Sequence, residues 1–252
     1  MNDSKILGVP SGFKQLDEIT GGFQKSDLIV VASRPGMGKT SFAINIARDV
    51  AKLKERNVLF FTLEMNYDTV IERLISIEEK VNKRVYREDY NYKRGIYKKF
   101  AANLAVYDYL HNAMDIMDEC QRRKTDSSID LVIIDYLQLL NFCDCIDNHQ
   151  KNKILPQYLK QLARAIECPV IVISQLCRDM EARECKRPRC SDIKSNGSLF
   201  DYTDLLLFLY RDDYYDCDSE EKDICEVIVA KNKSGTTGTA RLKWIEEHGL
   251  FS

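Results

Sequence analysis

Asp27-Leu-Ile-Val-Val-Ala32 has the make-up of a buried strand, and from Lys39 to Leu53 the apolar residues Phe42, Ile46, Val50 and Leu53 fall on one face of a helix. The turn between them, Ser33-Arg-Pro-Gly-Met-Gly-Lys-Thr40, matches G-x-x-x-x-G-K-[ST] in all but its first residue, Ser33. Strand, glycine turn and helix in this order make a phosphate-binding turn. Gly36 and Gly38 let the backbone curl so that successive N–H groups point inward at phosphate oxygens. Lys39 reaches the β- and γ-phosphates as a flexible point charge, and Thr40 offers a hydroxyl to Mg²⁺. The helix that begins here aims its positive end at the same anion. The expected nucleotide contacts are therefore Ser33, Arg34, Pro35, Gly36, Met37, Gly38, Lys39, Thr40 and Ser41, and the expected ligand is ATP or GTP.

Such a turn needs a parallel sheet around it, and the chain supplies one. Asn57-Val-Leu-Phe-Phe-Thr-Leu63, Leu104–Tyr107, Leu131–Ile134 and Pro169–Ser174 read as strands, the last two as continuous apolar runs covered on both faces. Helical patterns cover 66–79, 93–102, 115–124 and 153–166 between them. Leu205–Tyr210, Cys225–Ala230 and Ala240–Ile245 add apolar segments at the end, with Trp244 expected half-buried in a strand. This alternation predicts an α/β fold with a mostly parallel central sheet flanked by helices. With 252 residues, 44% of them hydrophobic, a single domain is expected, with 1–26 as a lead-in. The polar stretches 141–152 and 177–202 are the expected mobile loops.

The longest apolar runs are too short to span a bilayer and no signal peptide opens the chain, so a cytoplasmic protein with no membrane partner is expected. Nine cysteines are too few for a disulfide scaffold. The spacings of Cys143 with Cys145 and Cys185 with Cys190 do not match zinc-ligand patterns, so no metal beyond Mg²⁺ is expected.

Three polar residues end apolar strands, where ligands of an open α/β sheet collect. Asp135 closes Leu131-Val-Ile-Ile-Asp135 and is the expected Mg²⁺ partner alongside Thr40. Glu64 follows the 57–63 strand, and a carboxylate there can orient the attacking water and accept its proton. Gln175 follows Ser174, and an amide there can hydrogen-bond a γ-phosphate and register its loss.

With these motifs in hand, the chain resembles the RecA-like motor domain of DnaB-type replicative DNA helicases. The likeness is carried by Gly12-Phe-Lys-Gln-Leu-Asp17 with Thr20-Gly-Gly22, by Arg34–Thr40, by Leu63-Glu-Met65, by Val132-Ile-Ile-Asp-Tyr-Leu-Gln138 and by Ile173-Ser-Gln-Leu176. It continues through Arg187-Pro-Arg-Cys-Ser-Asp192 with Gly197-Ser198, Phe208-Leu-Tyr-Arg-Asp212, Ala230-Lys231 and Gly238-Thr239, in family order along essentially the whole chain. The opening segments are shared with recombinases and other RecA-like ATPases; the later ones are more diagnostic of these helicases. The resemblance implies an ATP-hydrolysing, DNA-translocating enzyme, a homohexamer or other homo-oligomer around single-stranded DNA, with ATP and Mg²⁺ between subunits and a helicase loader or primase as further partners. It also implies that Lys39, Glu64 and Gln175 act in catalysis.

The chain departs from the family pattern in three places. The Lys-x-Arg pair that reaches a neighbour's γ-phosphate is Lys231-Asn-Lys233 here, which makes Lys231 and Lys233 the candidate trans-acting cations. Lysine brings charge without the planar fork of arginine. The DNA-binding loop, usually Asp-Leu-Arg-Glu-Ser-Gly, is Asp192-Ile-Lys-Ser-Asn-Gly197. The family's N-terminal helical domain is not in the sequence, which begins almost at the motor.

Net charge is −2, so DNA contact has to be local. Within 183–194, Arg183, Lys186, Arg187, Arg189 and Lys194 face only Glu184 and Asp192, a balance of +3; with Ser195 and Gly197 they form the candidate DNA-binding set. Residues 80–99 are also basic, with Tyr86, Tyr90, Tyr92 and Tyr97 among them, and read as a solvated face or subunit contact. Two other classes stay open: a nucleotide-holding DNA- or protein-binding module with little motor activity, and a recombinase-type RecA-like ATPase.

Overall fold

A computed structural model of the chain describes residues 6–53, 56–82, 95–100, 102–142, 147–194 and 198–252. Among them nine strands form one sheet. In chain order they are β1 (Leu28–Ser33), β2 (Val58–Thr62), β3 (Leu104–Tyr107), β4 (Leu131–Asp135), β5 (Val170–Gln175), β6 (Leu205–Tyr210), β7 (Ile224–Asn232), β8 (Gly238–Ile245) and β9 (Leu250–Phe251). In space the order is β3-β2-β4-β5-β1-β6-β7-β8-β9. The six strands from β3 to β6 run parallel, and β7, β8 and β9 continue antiparallel. The change of direction follows from the chain: β2 to β6 are reached by long crossovers, β8 and β9 by short turns.

The strand patterns obey the same division. β1, β4 and β6 are buried at every residue because helices cover both faces, whereas β7 and β8 alternate. On one face pack α1 (Lys14–Thr20), α2 (Lys39–Lys52) and α3 (Tyr67–Glu79), around a core that includes Phe42, Phe60, Trp244 and Phe251. On the other pack α4 (Ala113–Asp126), α5 (Asn148–Ile166), α6 (Cys190–Lys194) and α7 (Leu199–Tyr202), around Phe61, Leu159, Leu162 and Phe208. Side-chain caps start the helices after loops: Asn66 accepts from the Thr69 N–H, Asn112 from Met114 and Asp147 from Gln150.

Several expectations change. The 141–152 stretch is not a loop throughout: α5 starts at Asn148 because Asp147 caps it, and the helix carries Pro156 in its interior. Residues 143–146 lie outside the described residues. The described part of the 177–202 stretch, without 195–197, holds a 3-10 turn at Arg178–Ala182, α6 and α7, and it buries Met180, Ile193 and Leu199. Its apolar residues are too widely spaced to show a helical period. Of the helix expected over 93–102, residues 95–97 are helical and 98–100 form a turn; 93, 94 and 101 are not described. The lead-in is part of the core, through Val9, Phe13, Leu16 and Phe23. Trp244 is buried rather than half-buried, 6% exposed in β8. The seven described cysteines are free thiols. Among the described residues no helix is long and apolar enough to cross a membrane.

Candidate nucleotide-binding site

The parallel ladder sets the site. Ser33 pairs with Gln175 and Thr62 with Asp135, so β1 and β5 end level with each other, as do β2 and β4, on the same carboxyl edge. A cavity of about 460 Å³ opens on this edge, lined by Lys39, Thr40, Glu64, Asp135 and Gln175 together. These five residues span more than half of the sequence, yet they converge on one rim.

The turn itself is shaped by its glycines. Gly38 has φ +88 and lies where a Cβ would come 3.1 Å from Phe251, so only glycine fits. α2 begins immediately after it, with its N-terminal end at the cavity. Lys39 Nζ donates to the carbonyls of Ser33 (3.2 Å) and Arg34 (3.0 Å), and burial draws its pKa down to about 8. Pro35, Gly36 and Ser41 also line the cavity.

Three residues of the expected contact set do not line it with their side chains. Met37 is 1% exposed and belongs to the core, where its apolar chain gains most. The Ser33 hydroxyl donates to the Arg34 carbonyl. Arg34 points away from the cavity: its Nε donates to Glu181 at 2.8 Å and its Nη1 to the Leu176 carbonyl at 2.6 Å. A guanidinium this buried needs a carboxylate, and Glu181 supplies one from beyond β5.

Asp135 is the most perturbed acid here. Burial, reinforced by the charge of Glu64, pushes its carboxyl up to about 6, against the pull of Thr40, Lys39 and Arg73. Its Oδ1 is buried with no hydrogen-bond partner. An orphaned carboxylate oxygen beside the Thr40 hydroxyl is an oxygen donor set that suits Mg²⁺. Glu64 stands exposed at the rim. The turn that carries it is fixed by Thr62, whose hydroxyl donates to the Met65 carbonyl and accepts from the Met65 N–H, and by the Leu63 N–H, which donates to the Asp135 carbonyl. Gln175 is held from behind by Gln138, whose Nε2 donates to the Gln175 carbonyl and to the Ser174 hydroxyl while its Oε1 accepts from the Gln175 N–H.

Lys231 and Lys233 lie at the opposite, amino edge. Lys233 Nζ donates to Asp204 Oδ1 at 2.8 Å, and Lys160 Nζ donates to Oδ2 at 2.5 Å. Asp204 Oδ2 also accepts from the N–H of Leu28, the first residue of β1. Lys231 donates to the Phe200 carbonyl at 2.6 Å and lies over the Phe200 ring. The six residues of β1 separate Leu28 from Ser33, about 16 Å at the usual rise per residue. Neither lysine reaches the cavity of its own chain.

Residues 8–252 match the family model described as the DnaB-like helicase C-terminal domain. The chain belongs to this family. It is 40% identical to the replicative DNA helicase DnaB of Geobacillus stearothermophilus over 99% of its length and 57% of that protein. It is 37% identical to the replicative DNA helicase DnaC of Bacillus subtilis over 98% of its length and 56% of that protein. The chain thus spans about half the length of the curated relatives it matches. Among solved structures it superposes on an isolated ATPase domain with TM-score 0.90 at 34% identity, covering 99% of this chain and 92% of that one. A DnaB-like replicative helicase, solved for its interactions with primase, gives TM-score 0.91 at 36% identity over 99% of this chain and 64% of that one. The fold is accordingly RecA-like α/β.

In this DnaB-like domain the candidate DNA segment is less open than its local charge suggests. Arg183 is paired with Asp192 at 2.8 Å. Arg187 is paired with Glu226 at 2.7 Å and lies 4.8 Å over the Tyr210 ring. Lys186 lies 5.2 Å over Tyr215, and Arg189 is exposed. The side chain of Lys194, with Ser195 and Gly197, lies outside the described residues, as does most of the basic 80–99 stretch, including Tyr86, Tyr90 and Tyr92. Sequence reasoning also missed five residues that line the cavity: Arg73, Tyr136, Trp244, Glu246 and Gly249. For Arg73 there was a signal, a charge beside the apolar stripe of α3.

Proposed function

We propose that this chain is the ATP-hydrolysing motor of a DnaB-type replicative helicase, acting on single-stranded DNA in a homohexamer or similar ring. The observation that carries the reading is the split between the two edges. Lys39, Thr40, Asp135, Glu64 and Gln175 share one cavity, while Lys233 is tied to Asp204 at the opposite edge of the sheet, a β1 length of about 16 Å from the carboxyl edge. A cation there serves a phosphate only in a neighbouring subunit, so turnover belongs to an assembly.

In the loaded site Lys39 would leave its two carbonyls for the β- and γ-phosphates. Thr40 and Asp135 would hold Mg²⁺, which neutralises charge on the phosphate oxygens. Glu64 orients the water and accepts its proton, and the neighbour's Lys233 offsets charge developing on the γ-phosphoryl group. Gln175 senses that group, and Arg34 ties the phosphate turn to the 178–182 segment through Leu176 and Glu181. The exposed Arg189 and the basic residues beside it grip a DNA backbone without reading bases, so binding weakens steeply with salt. Primase is the further partner this reading favours, since a DnaB-like relative was solved for that interaction.

The deciding experiment measures ATP hydrolysis with and without single-stranded DNA alongside particle mass. DNA-stimulated turnover that appears only in the assembled species, and falls at least about 10²-fold in Glu64→Gln with nucleotide binding retained, is the expected result. Nucleotide binding without turnover at any DNA concentration would select the binding-module reading instead.

A further inference from the structure

Arg34 bonds in two directions. Its carbonyl accepts from Lys39 Nζ at 3.0 Å and from the Ser33 hydroxyl at 2.9 Å, inside the phosphate turn. Its side chain, 7% exposed, leaves the turn for the far end of β5. There Nη1 donates to the carbonyl of Leu176, the residue after Gln175, and Nε donates to Glu181 Oε1 at 2.8 Å. The Leu176 N–H closes the circuit by donating to the Ser33 carbonyl at 3.1 Å. One guanidinium thus joins the turn that carries Lys39 to the segment that follows Gln175.

Glu181 is the other end of that join. It lies in the 3-10 turn Arg178–Ala182, which leads into the basic 183–194 segment. The Arg34 bond, helped by the fields of Arg34, Arg178 and Lys186, holds its carboxyl below the usual range. A single carboxylate therefore stands between a buried cation of the phosphate turn and two cations on the side of the candidate DNA segment. Arg178 is exposed and Lys186 lies over the Tyr215 ring. A DNA phosphate that neutralises these two leaves Glu181 to Arg34 alone and tightens that bond. DNA then interacts differently with the two settings of the turn, which coupling requires. Because Arg34 is buried, its carboxylate matters more than one in an exposed pair would.

We propose that Glu181 is a positioning residue for hydrolysis, which sets the phosphate turn through Arg34 in response to DNA held by the segment after it. This rests on the nucleotide and DNA reading above. Glu181 touches none of the reacting atoms. It acts alongside Gln175 rather than through it, because Arg34 meets the turn on the Lys39 side.

The test compares Glu181→Gln, which keeps the shape and removes the charge, with Arg34→Lys and the double variant in the assembled protein, with folding checked by circular dichroism. Two ratios are read. One is ATP turnover with single-stranded DNA over turnover without it. The other is oligonucleotide affinity, by fluorescence anisotropy, with Mg-ATPγS over that with Mg-ADP. Glu181→Gln is expected to lower both about fivefold or more, while mant-ADP affinity stays within about a factor of two of wild type. Glu181→Asp, which restores the charge on a shorter arm, should recover part of both. The double variant should lose no more than the larger single loss, since both substitutions break one contact. Ratios in Glu181→Gln equal to wild type would overturn the proposal. So would DNA affinity lost equally with both nucleotides, as a purely structural role predicts, or additive losses in the double variant. If Arg34→Lys does not fold, the two Glu181 variants decide. Wild-type protein without DNA-stimulated turnover would instead remove the proposed function.

Discussion

The two edges of the sheet treat charge in opposite ways. At the carboxyl edge Asp135 Oδ1 is orphaned, its carboxyl is pushed up to about 6 and Lys39 is drawn down to about 8, with Arg73 unpaired beside them. At the amino edge Asp204 has both oxygens filled, by Lys160, Lys233 and the Leu28 N–H, and these bonds hold its carboxyl below the usual range despite burial. One edge is a ligand-shaped deficit; at the other Asp204 has its oxygens met, while burial and the charge of Asp204 push the neighbouring Asp27 carboxyl up to about 6. Under the proposed function, a cation destined for a neighbour has to be kept at home until the neighbour arrives, and Asp204 is what holds Lys233. Engagement in trans trades one anion for another, which makes it reversible.

The sharpest way to break this contrast is to remove the traded cation. Lys233→Ala should abolish turnover, about 10³-fold or more, while mant-ADP affinity measured by fluorescence stays within a factor of two or so of wild type. Equal turnover would take Lys233 out of the reaction.

Next in size is the partner that holds it. Asp204→Ala leaves Lys160 and Lys233 side by side with only the Asp27 carboxyl near them and strips the Leu28 N–H of its acceptor. Urea denaturation is expected to show a loss of about 3 kcal/mol, with the phosphate cavity intact. Unaltered stability would mean the amino-edge cluster is not the closed unit described above.

Acidity probes the open edge. Below about pH 6 the Asp135 carboxyl takes up its proton, so cation binding has to displace it; above about pH 8 Lys39 loses the charge that phosphates need. Mg-nucleotide affinity is therefore expected to peak between these values and to fall up to about tenfold per pH unit outside them. In Asp135→Asn the acid limb should vanish while the alkaline limb stays, as titration calorimetry across pH 5 to 9 would read.

Most of the fold was legible because burial on both faces writes continuous apolar runs, as in β1, β4 and β5. The five rim residues were legible because each is the polar residue that ends or follows such a run, or belongs to the glycine turn. Arg73, Trp244 and Glu246 were not, since they come to the cavity from a helix and from the antiparallel end, and no local pattern records that approach. The same limit explains the candidate DNA segment. A count of charges within 183–194 could not include Glu226, which neutralises Arg187 from 39 positions away in β7. The order in 177–202 was hidden because its buried residues, Met180, Ile193 and Leu199, are spread too thinly to show a period.

The last backbone pairing between β4 and β5 is Ile134 with Val172, three residues short of Gln175. The two polar groups of the Gln175 main chain on this side are met by the amide of Gln138. A side chain thus stands in as one extra rung. Dropping that rung takes a single rotamer change and forfeits about 1 kcal/mol per bond, with every strand still zipped. Under the proposed function, Gln175 could be unlatched and relatched once per turnover without disturbing the scaffold that carries it.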